Sequence, residues 1–400
     1  MKKTGTGLIV IALFMMSLNI RPAINSISPL LETLRSQLGI SASAVSLLTV
    51  IPVLCMGIFS PVAAKLGGRF GIERTLFGAL ILIGLGTFLR FFTNSAFFLL
   101  STAFVAGVGI AVMGPLISGF IKQHFSSQVP KMISVYSTAM TLGAALASGL
   151  AAPIQGSTHS WRAALAIWGV LALAAIPLWW LFVLRRVERT KNESASQLSS
   201  TLPWNHPKAW LLTFSFGFSG MIFFSITAWL PPIIQDMGYN KAYAGSILTI
   251  FAAVQIPANL LLPMLIKKYP SRLLMLLFFS CLELVGFLMI YFSAQPEAAA
   301  IFLGVGAAAL FSLNLMLPID ATANAQEAAS WSAMIQAVGY IISAAGPLIL
   351  GWLYDVTGSF SFAVIGLIII TLACMIVQFF AASGNTQEKI QIDLQSRDAL

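Results

Sequence analysis

The sequence predicts an all-α integral membrane protein with twelve transmembrane helices, and its composition, the length of its apolar runs and the placement of its charges carry that prediction. Of 400 residues, 58% are hydrophobic and only 9% charged, with a mean hydropathy of +0.89, whereas about a quarter of a soluble domain is charged. No aqueous fold hides that much apolar surface. Hydrocarbon accommodates it, provided every backbone N–H and C=O is satisfied internally, which leaves helices or closed barrels. The alternation of apolar and polar residues that a barrel strand needs is absent. Stretches such as 76–89, 97–121, 165–184 and 363–380 are apolar on all sides, near the roughly 20 residues that cross a bilayer. The net charge of +9 would point to nucleic acid in a soluble protein. Here the basic residues fall in loops, so no nucleic-acid partner is expected.

The first span, near 7–31, follows Met1, Lys2 and Lys3 but is long and lacks an Ala-x-Ala site, so it reads as a retained helix rather than a signal peptide. Pro22 interrupts it. Proline has no N–H and clashes with the preceding turn, which releases a carbonyl near position 18. Spans two to six lie near 44–64, 75–92, 97–121, 132–154 and 162–184. Within the fourth, Gly107-Val108-Gly109 reads as close helix packing, since no strand precedes it and the full phosphate-loop spacing is missing. The interval 185–208, rich in Ser, Asn, Arg and Glu, is the only long hydrophilic stretch. It divides the chain into an N-terminal six-helix bundle (1–184), a cytoplasmic linker (185–208), a C-terminal six-helix bundle (209–382) and a polar cytoplasmic tail (383–400). Spans seven to twelve lie near 209–233, 242–266, 272–292, 298–318, 332–354 and 361–382. Cys55, Cys281 and Cys374 each fall inside a span without a CxxC motif and read as small core residues, not disulfide partners.

Lys and Arg in short loops are retained on the cytoplasmic side. With the N-terminus inside, 17 of the 22 Lys and Arg residues fall in cytoplasmic segments, and only Arg35, Arg90, Arg162 and Lys241 fall in external loops, with Arg21 inside a span. Both termini and the linker are therefore expected in the cytoplasm. The halves also look like distant copies: Pro29-Leu-Leu, Leu38-Gly39 and Ser46-Leu-Leu-Thr49 recur as Pro232-Ile-Ile, Met237-Gly238 and Ser246-Ile-Leu-Thr249, at an offset of about 200 residues. Parallel repeats of this kind build many carriers.

Further motifs run along the chain: Asn19-Ile-Arg21-Pro22-Ala23, Leu48-Thr-Val-Ile-Pro52-Val-Leu-Cys55, Ala228-Trp229-Leu230-Pro231-Pro232, Gln336-Ala-Val-Gly339-Tyr340, Gly346-Pro347, Gly351 and Asp355-Val-Thr-Gly358-Ser359. In these the sequence resembles the major facilitator superfamily, and within it the cyanate permease and 2-nitroimidazole transporter family. The resemblance implies two six-helix bundles related by a pseudo-two-fold axis, alternating access, and a cyanate-like anion or nitroimidazole-like compound as substrate. It further implies a multi-pass protein of the bacterial cytoplasmic membrane. The superfamily's turn between spans two and three is represented by Ala64 to Arg74. Arg69, Gly71 and Arg74 fit it as a gating loop, but Gly68 stands where an Asp is expected, which weakens any Asp-centred relay there.

Arg21 lies mid-span, where a cation costs about 2.5–3.5 kcal/mol on insertion scales. Ser17, Arg21, Asn25 and Ser28 share one helical face, expected to line a wet cavity. A guanidinium fork suits a small planar, anionic or nitro-bearing solute; the alternative is a structural ion pair with Glu283, the one carboxylate deep in a span. Glu283 is equally a candidate for proton coupling. Gln336 and Tyr340 share a face of span eleven with Ser332, Ser343 and Pro347, and Gln255 and Asn259 are one turn apart on span eight. Thr49, Asn314 and Trp229 complete the candidate substrate-binding set, with Trp229 open to a reading as an interfacial anchor. Ser134, Thr138, Thr141 and Ser148 on span five read as helix packing. His124, His159 and His206 have no ligand spacing, so neither a metal nor another cofactor is expected.

An enzyme would need clustered His, Asp or Glu at a membrane face, and a sensor would need a folded soluble domain; neither pattern is present. The expectation is a carrier acting as a monomer in the lipid bilayer on a small-molecule substrate, with the site near mid-membrane between the bundles. Uniport, proton symport and proton antiport stay open, as does an exporter of hydrophobic compounds in which Arg21 is structural.

Overall fold

A computed structural model of the chain describes residues 3–39, 42–185 and 202–397. Among these residues there are helices and turns but no strands. The longer helices of the first half are α1 (Lys3–Leu18), α2 (Ala42–Phe70), α3 (Ile72–Phe88), α4 (Ala96–Phe125), α5 (Val129–Thr158) and α6 (Gly169–Trp179), with short helices at Pro22–Asn25, Leu31–Leu38 and Trp161–Ala166. Those of the second are α7 (Pro207–Asp236), α8 (Lys241–Lys268), α9 (Arg272–Tyr291), α10 (Pro296–Asp320), α11 (Ala325–Thr357) and α12 (Phe360–Arg397). By length and composition there are 11 candidate membrane spans among the described residues, one of them the 63-residue run Ala96–Thr158. That run is broken at Ser126–Gln128 into α4 and α5, each 30 residues long, and so supplies two crossings, completing twelve.

Helix starts follow local chemistry. Ser95, Asn240 and Ser271 accept from the backbone N–H three residues on at α4, α8 and α9. Pro sits at the first or second position of α5, α7 and α10, where its missing N–H costs nothing. Close approach is set by small residues: a Cβ on Gly109 would stand 2.7 Å from the Ala79 carbonyl oxygen, and one on Gly107 would stand 2.8 Å from Pro52. This is the packing role expected for that glycine pair.

Several expectations are corrected. The first span is not one helix from 7 to 31: α1 ends at Leu18, the chain turns through Asn19–Arg21, and a short helix resumes at Pro22–Asn25. Proline cannot donate to Leu18, so the helix ends ahead of it. Most helices also run beyond their apolar cores, α2 to Phe70 and α11 from Ala325. Arg90, read as a loop residue, lies in the turn Leu89–Phe92 and is 0% exposed, with no partner for its three guanidinium nitrogens. Cys55 and Cys374 are buried, but Cys281 is exposed.

Two compact units are distinguished. One comprises Met1–Leu202 with Thr322–Tyr340, the other Pro203–Ala321 with Ile341–Leu400. The division falls within α11, whose N-terminal half belongs to the first unit. In the second unit α9 shows a peripheral helix clearly. Leu274, Phe278, Cys281, Val285 and Leu288 form an exposed stripe at steps of four and three, while Leu276, Phe279, Ser280, Glu283, Phe287 and Ile290 are buried.

Candidate functional site

In the first unit the polar groups gather around the break in the first span. Arg21 occupies the residue before the Pro22–Asn25 helix, with φ −91° and ψ −32° and no capping role for its side chain. Its guanidinium is half-buried. It acts electrostatically on the phenols of Tyr136 on α5 and Tyr340 on α11, and the two phenols act on one another. Within this unit no carboxylate among the described residues pairs with Arg21; Glu73 is engaged by His124 and Gln123, and Glu327 accepts from the Ala323 amide.

The break itself is held by α5. The Leu18 carbonyl oxygen and Pro22 ring lie against Gly143, where any Cβ would collide with the carbonyl. Ser148 donates to the Asn25 carbonyl at 3.3 Å. The release of a carbonyl near position 18 is thus visible as a close helix–helix contact. Ser17 departs from the expected wet face: it is wholly buried and donates to Leu13 of its own helix at 2.7 Å. The side chain of Ser28 lies outside the described residues.

On α11, Ser332, Gln336 and Tyr340 are all buried on one face. Gln336 Oε1 presses on Gly114 of α4, while its Nε2 and the Ser332 hydroxyl have no hydrogen-bond partner. Thr138 on α5 is similarly orphaned. Buried polar groups without partners each cost about 1–3 kcal/mol, so this unit holds several unspent donors. Thr49 is half-buried on α2.

The second unit carries a separate polar chain. Ser215 donates to Asn314 Oδ1 at 2.6 Å, and Asn314 Nδ2 donates to Ser219 at 3.1 Å and to the Leu310 carbonyl at 2.8 Å. Ser219 lies 3.5 Å from the Cys374 sulfur, Gln378 donates to that sulfur at 3.1 Å, and Ser280 donates to Gln378 at 2.8 Å. Glu283 is 1% exposed, packs against Gly306 and acts electrostatically on Cys374, and its Oε2 has no hydrogen-bond partner. Gln255 donates to Phe251 within its own helix, and Asn259 accepts from Ser312 at 2.8 Å. Trp229 donates to the Pro347 carbonyl at 3.0 Å and packs on Tyr354 and Phe360, an aromatic tie between α7, α11 and α12.

The turn after α2 shows how Gly71 and its neighbours are used. Gly71 has φ +88°, a conformation suited to glycine, and its carbonyl accepts from Thr75 at 2.8 Å. Arg69 lies over Phe70, and Arg69 and Arg74 are both exposed. The buried carboxylate is Glu73, which accepts from Gln123 at 2.8 Å and stands 2.9 Å from His124 Nε2. Its backbone carbonyl accepts from the Trp179 indole at 3.0 Å. Gln326 at the start of α11 donates to the Ala64 carbonyl at 2.9 Å. Glu73 and Tyr136 were not singled out by the sequence, and His124 was considered only as a histidine without ligand spacing. Glu73 and His124 are 51 residues apart, and Tyr136 stands in an apolar helix like any core aromatic. Among the described residues no three of His, Cys, Asp and Glu converge as a metal site.

Residues 7–347 match the family model of the Major Facilitator Superfamily. The chain is 32% identical to the uncharacterized transporter YycB of Bacillus subtilis (strain 168), covering 97% of this chain and 96% of that one. It is 30% identical to the 2-nitroimidazole transporter of Escherichia coli (strain K12), over 95% and 96% of the two chains. The cyanate transport protein CynX of the same strain is also 30% identical, over 92% and 98%. Among solved structures, the E. coli fucose:proton symporter superposes with a TM-score of 0.75 at 13% identity, over 95% of this chain and 99% of that one. At that identity the likeness speaks to fold alone.

Proposed function

The chain belongs to the major facilitator superfamily and is a membrane transporter of small solutes, and from that premise we propose that it carries a cyanate-like anion or a nitroimidazole-like compound across the bacterial cytoplasmic membrane by alternating access. The observation that carries the substrate reading is Arg21. It is a half-buried guanidinium at a helix break, acting electrostatically on two tyrosines and unclaimed by any described carboxylate of its unit. A cation held at such cost inside a membrane protein is retained for a pathway or a substrate, and a guanidinium fork matches the oxygens of a nitro group or the ends of a pseudohalide. Relatives named for 2-nitroimidazole and cyanate support the same class. In this reading Asn25, Thr49, Gln336, Tyr340, Trp229, Gln255 and Asn314 are the further candidate substrate contacts. Arg69, Gly71 and Arg74 shape a gating turn, and Glu283 is the candidate proton carrier. The six-helix halves 1–184 and 209–382 alternate access as a monomer with both termini in the cytoplasm, and the chain performs translocation rather than catalysis.

Purified chain in proteoliposomes, offered cyanate, nitrate, 2-nitroimidazole and a lipophilic cation, tests the reading. Uptake of an anion or of the nitroimidazole is expected, with at least a tenfold loss of uptake rate over KM in Arg21→Ala and a smaller loss in Arg21→Lys, about the contribution of one ionic hydrogen bond (~1.5–3 kcal/mol). Normal transport by both variants, or movement of the lipophilic cation alone, makes Arg21 structural and favours an exporter of hydrophobic compounds.

A further inference from the structure

Tyr136 is a buried aromatic of α5 that the proposed function leaves without a role. On α5 it stands seven residues before Gly143, so both lie on one helical face, and Gly143 is where that face meets Leu18 and Pro22 at the break carrying Arg21. The phenol is buried, at 5% exposure. Among the described residues its hydroxyl makes no hydrogen bond, and its charged neighbour is Arg21. Tyr340 on α11, also 5% exposed, is acted on electrostatically by Arg21 as well.

We propose that Tyr136, together with Tyr340, makes Arg21 a site for a small monovalent anion, and that Tyr136 is a specificity-determining residue there. The inference rests on reading Arg21 as a substrate contact. Among the described residues Arg21 is the formally charged group recorded as acting on the two phenols, and no described carboxylate of the unit pairs with it, so the charge recorded there is a single positive one. A monovalent anion cancels that charge. A dianion brings a second negative charge into a poorly solvated site with nothing to balance it, and a cation meets repulsion without a counter-charge. The donors suit the same ligand: five guanidinium N–H groups, the unbonded Tyr136 hydroxyl, and Gln336 Nε2, which is orphaned one turn from Tyr340. A phenol supplies a hydrogen bond without altering the charge balance, so it grades ligands by their acceptors. A compact anion with exposed terminal oxygen or nitrogen gains most, and a neutral nitroaromatic, whose acceptors are weaker, gains less.

The test is saturable uptake by the full chain in proteoliposomes, with labelled cyanate and labelled 2-nitroimidazole, comparing the unaltered chain with Tyr136→Phe and Arg21→Lys, and with sulfate as competitor. Tyr136→Phe is expected to raise the KM for cyanate about tenfold, the loss of one hydrogen bond to an ion (~1.4 kcal/mol). The maximal rate should be kept, the KM for 2-nitroimidazole should move less, and sulfate should fail to compete. An unchanged cyanate KM in Tyr136→Phe, or a fall in maximal rate with KM unchanged, gives Tyr136 a structural role and overturns the proposal, as does sulfate competing as well as cyanate. If Arg21→Lys also leaves the cyanate KM unchanged, or no anion is taken up saturably, the underlying reading of Arg21 fails as well. If Arg21→Lys raises it while Tyr136→Phe does not, only the present inference fails. Should Tyr136→Phe not reach the membrane, sulfate competition against the unaltered chain decides.

Discussion

A charged carboxylate held in a dry core without a cation costs several kcal/mol, whereas the protonated acid is tolerated, and Glu283 is placed under that constraint. It faces inward from α9, with Gly306 against its side chain and the Ser280–Gln378–Cys374–Ser219–Asn314–Ser215 chain beside it. If transport is proton-coupled through this residue, Glu283→Gln, which keeps shape and mimics the loaded acid, should abolish accumulation driven by a pH gradient. It should spare exchange of substrate for substrate, which needs no proton release. Gradient-driven accumulation at the normal rate by Glu283→Gln assigns the residue to packing. Glu283 and Arg21 could be found in the sequence because charge inside an apolar run is conspicuous by its cost. Tyr136 could not, since its meaning comes from the residues α5 brings it against. Nor could the Glu73–His124 contact, because no local spacing joins the two residues.

At the scale of the helix, the break in the first span depends on one missing atom. Gly143 has no Cβ, so the Leu18 carbonyl and the Pro22 ring can lie directly on α5. A second glycine of the same helix, Gly149, has nothing within 4 Å of where a Cβ would be. Replacing glycine by alanine in a helix interior gains about 1 kcal/mol from propensity, while forcing a methyl into a filled contact costs about 1–3 kcal/mol. Gly149→Ala should therefore keep or raise the thermal stability of the detergent-solubilised chain. Gly143→Ala should lower it and reduce substrate affinity, because Arg21 moves with the break. Equal melting behaviour of the two variants would mean that α5 does not hold the break. The spans were legible because apolar length sets them, and the interruption by Pro22 because proline chemistry is local. The extension of α2 and α11 beyond their apolar cores was not, since those turns are amphipathic and are stabilised by contacts such as Gln326 with the Ala64 carbonyl.

At the scale of the molecule, the direction of transport takes its meaning from which face of the chain lies in the cytoplasm. The argument for sidedness is electrostatic. Lys and Arg resist transfer across the membrane during insertion, so the segments that hold 17 of 22 of them should remain in the cytoplasm. The two-unit division bears on neither face, because it follows packing rather than charge. Two exposed positions on opposite expected sides make the measurement clean: Asn205, just before α7, and Gln295, between α9 and α10. In a background lacking the three native cysteines, Gln295→Cys should react with a membrane-impermeant maleimide in intact cells, and Asn205→Cys only in inverted vesicles. The reverse pattern would invert the topology, place the basic turn containing Arg69 and Arg74 outside, and turn any uptake measured in oriented vesicles into export.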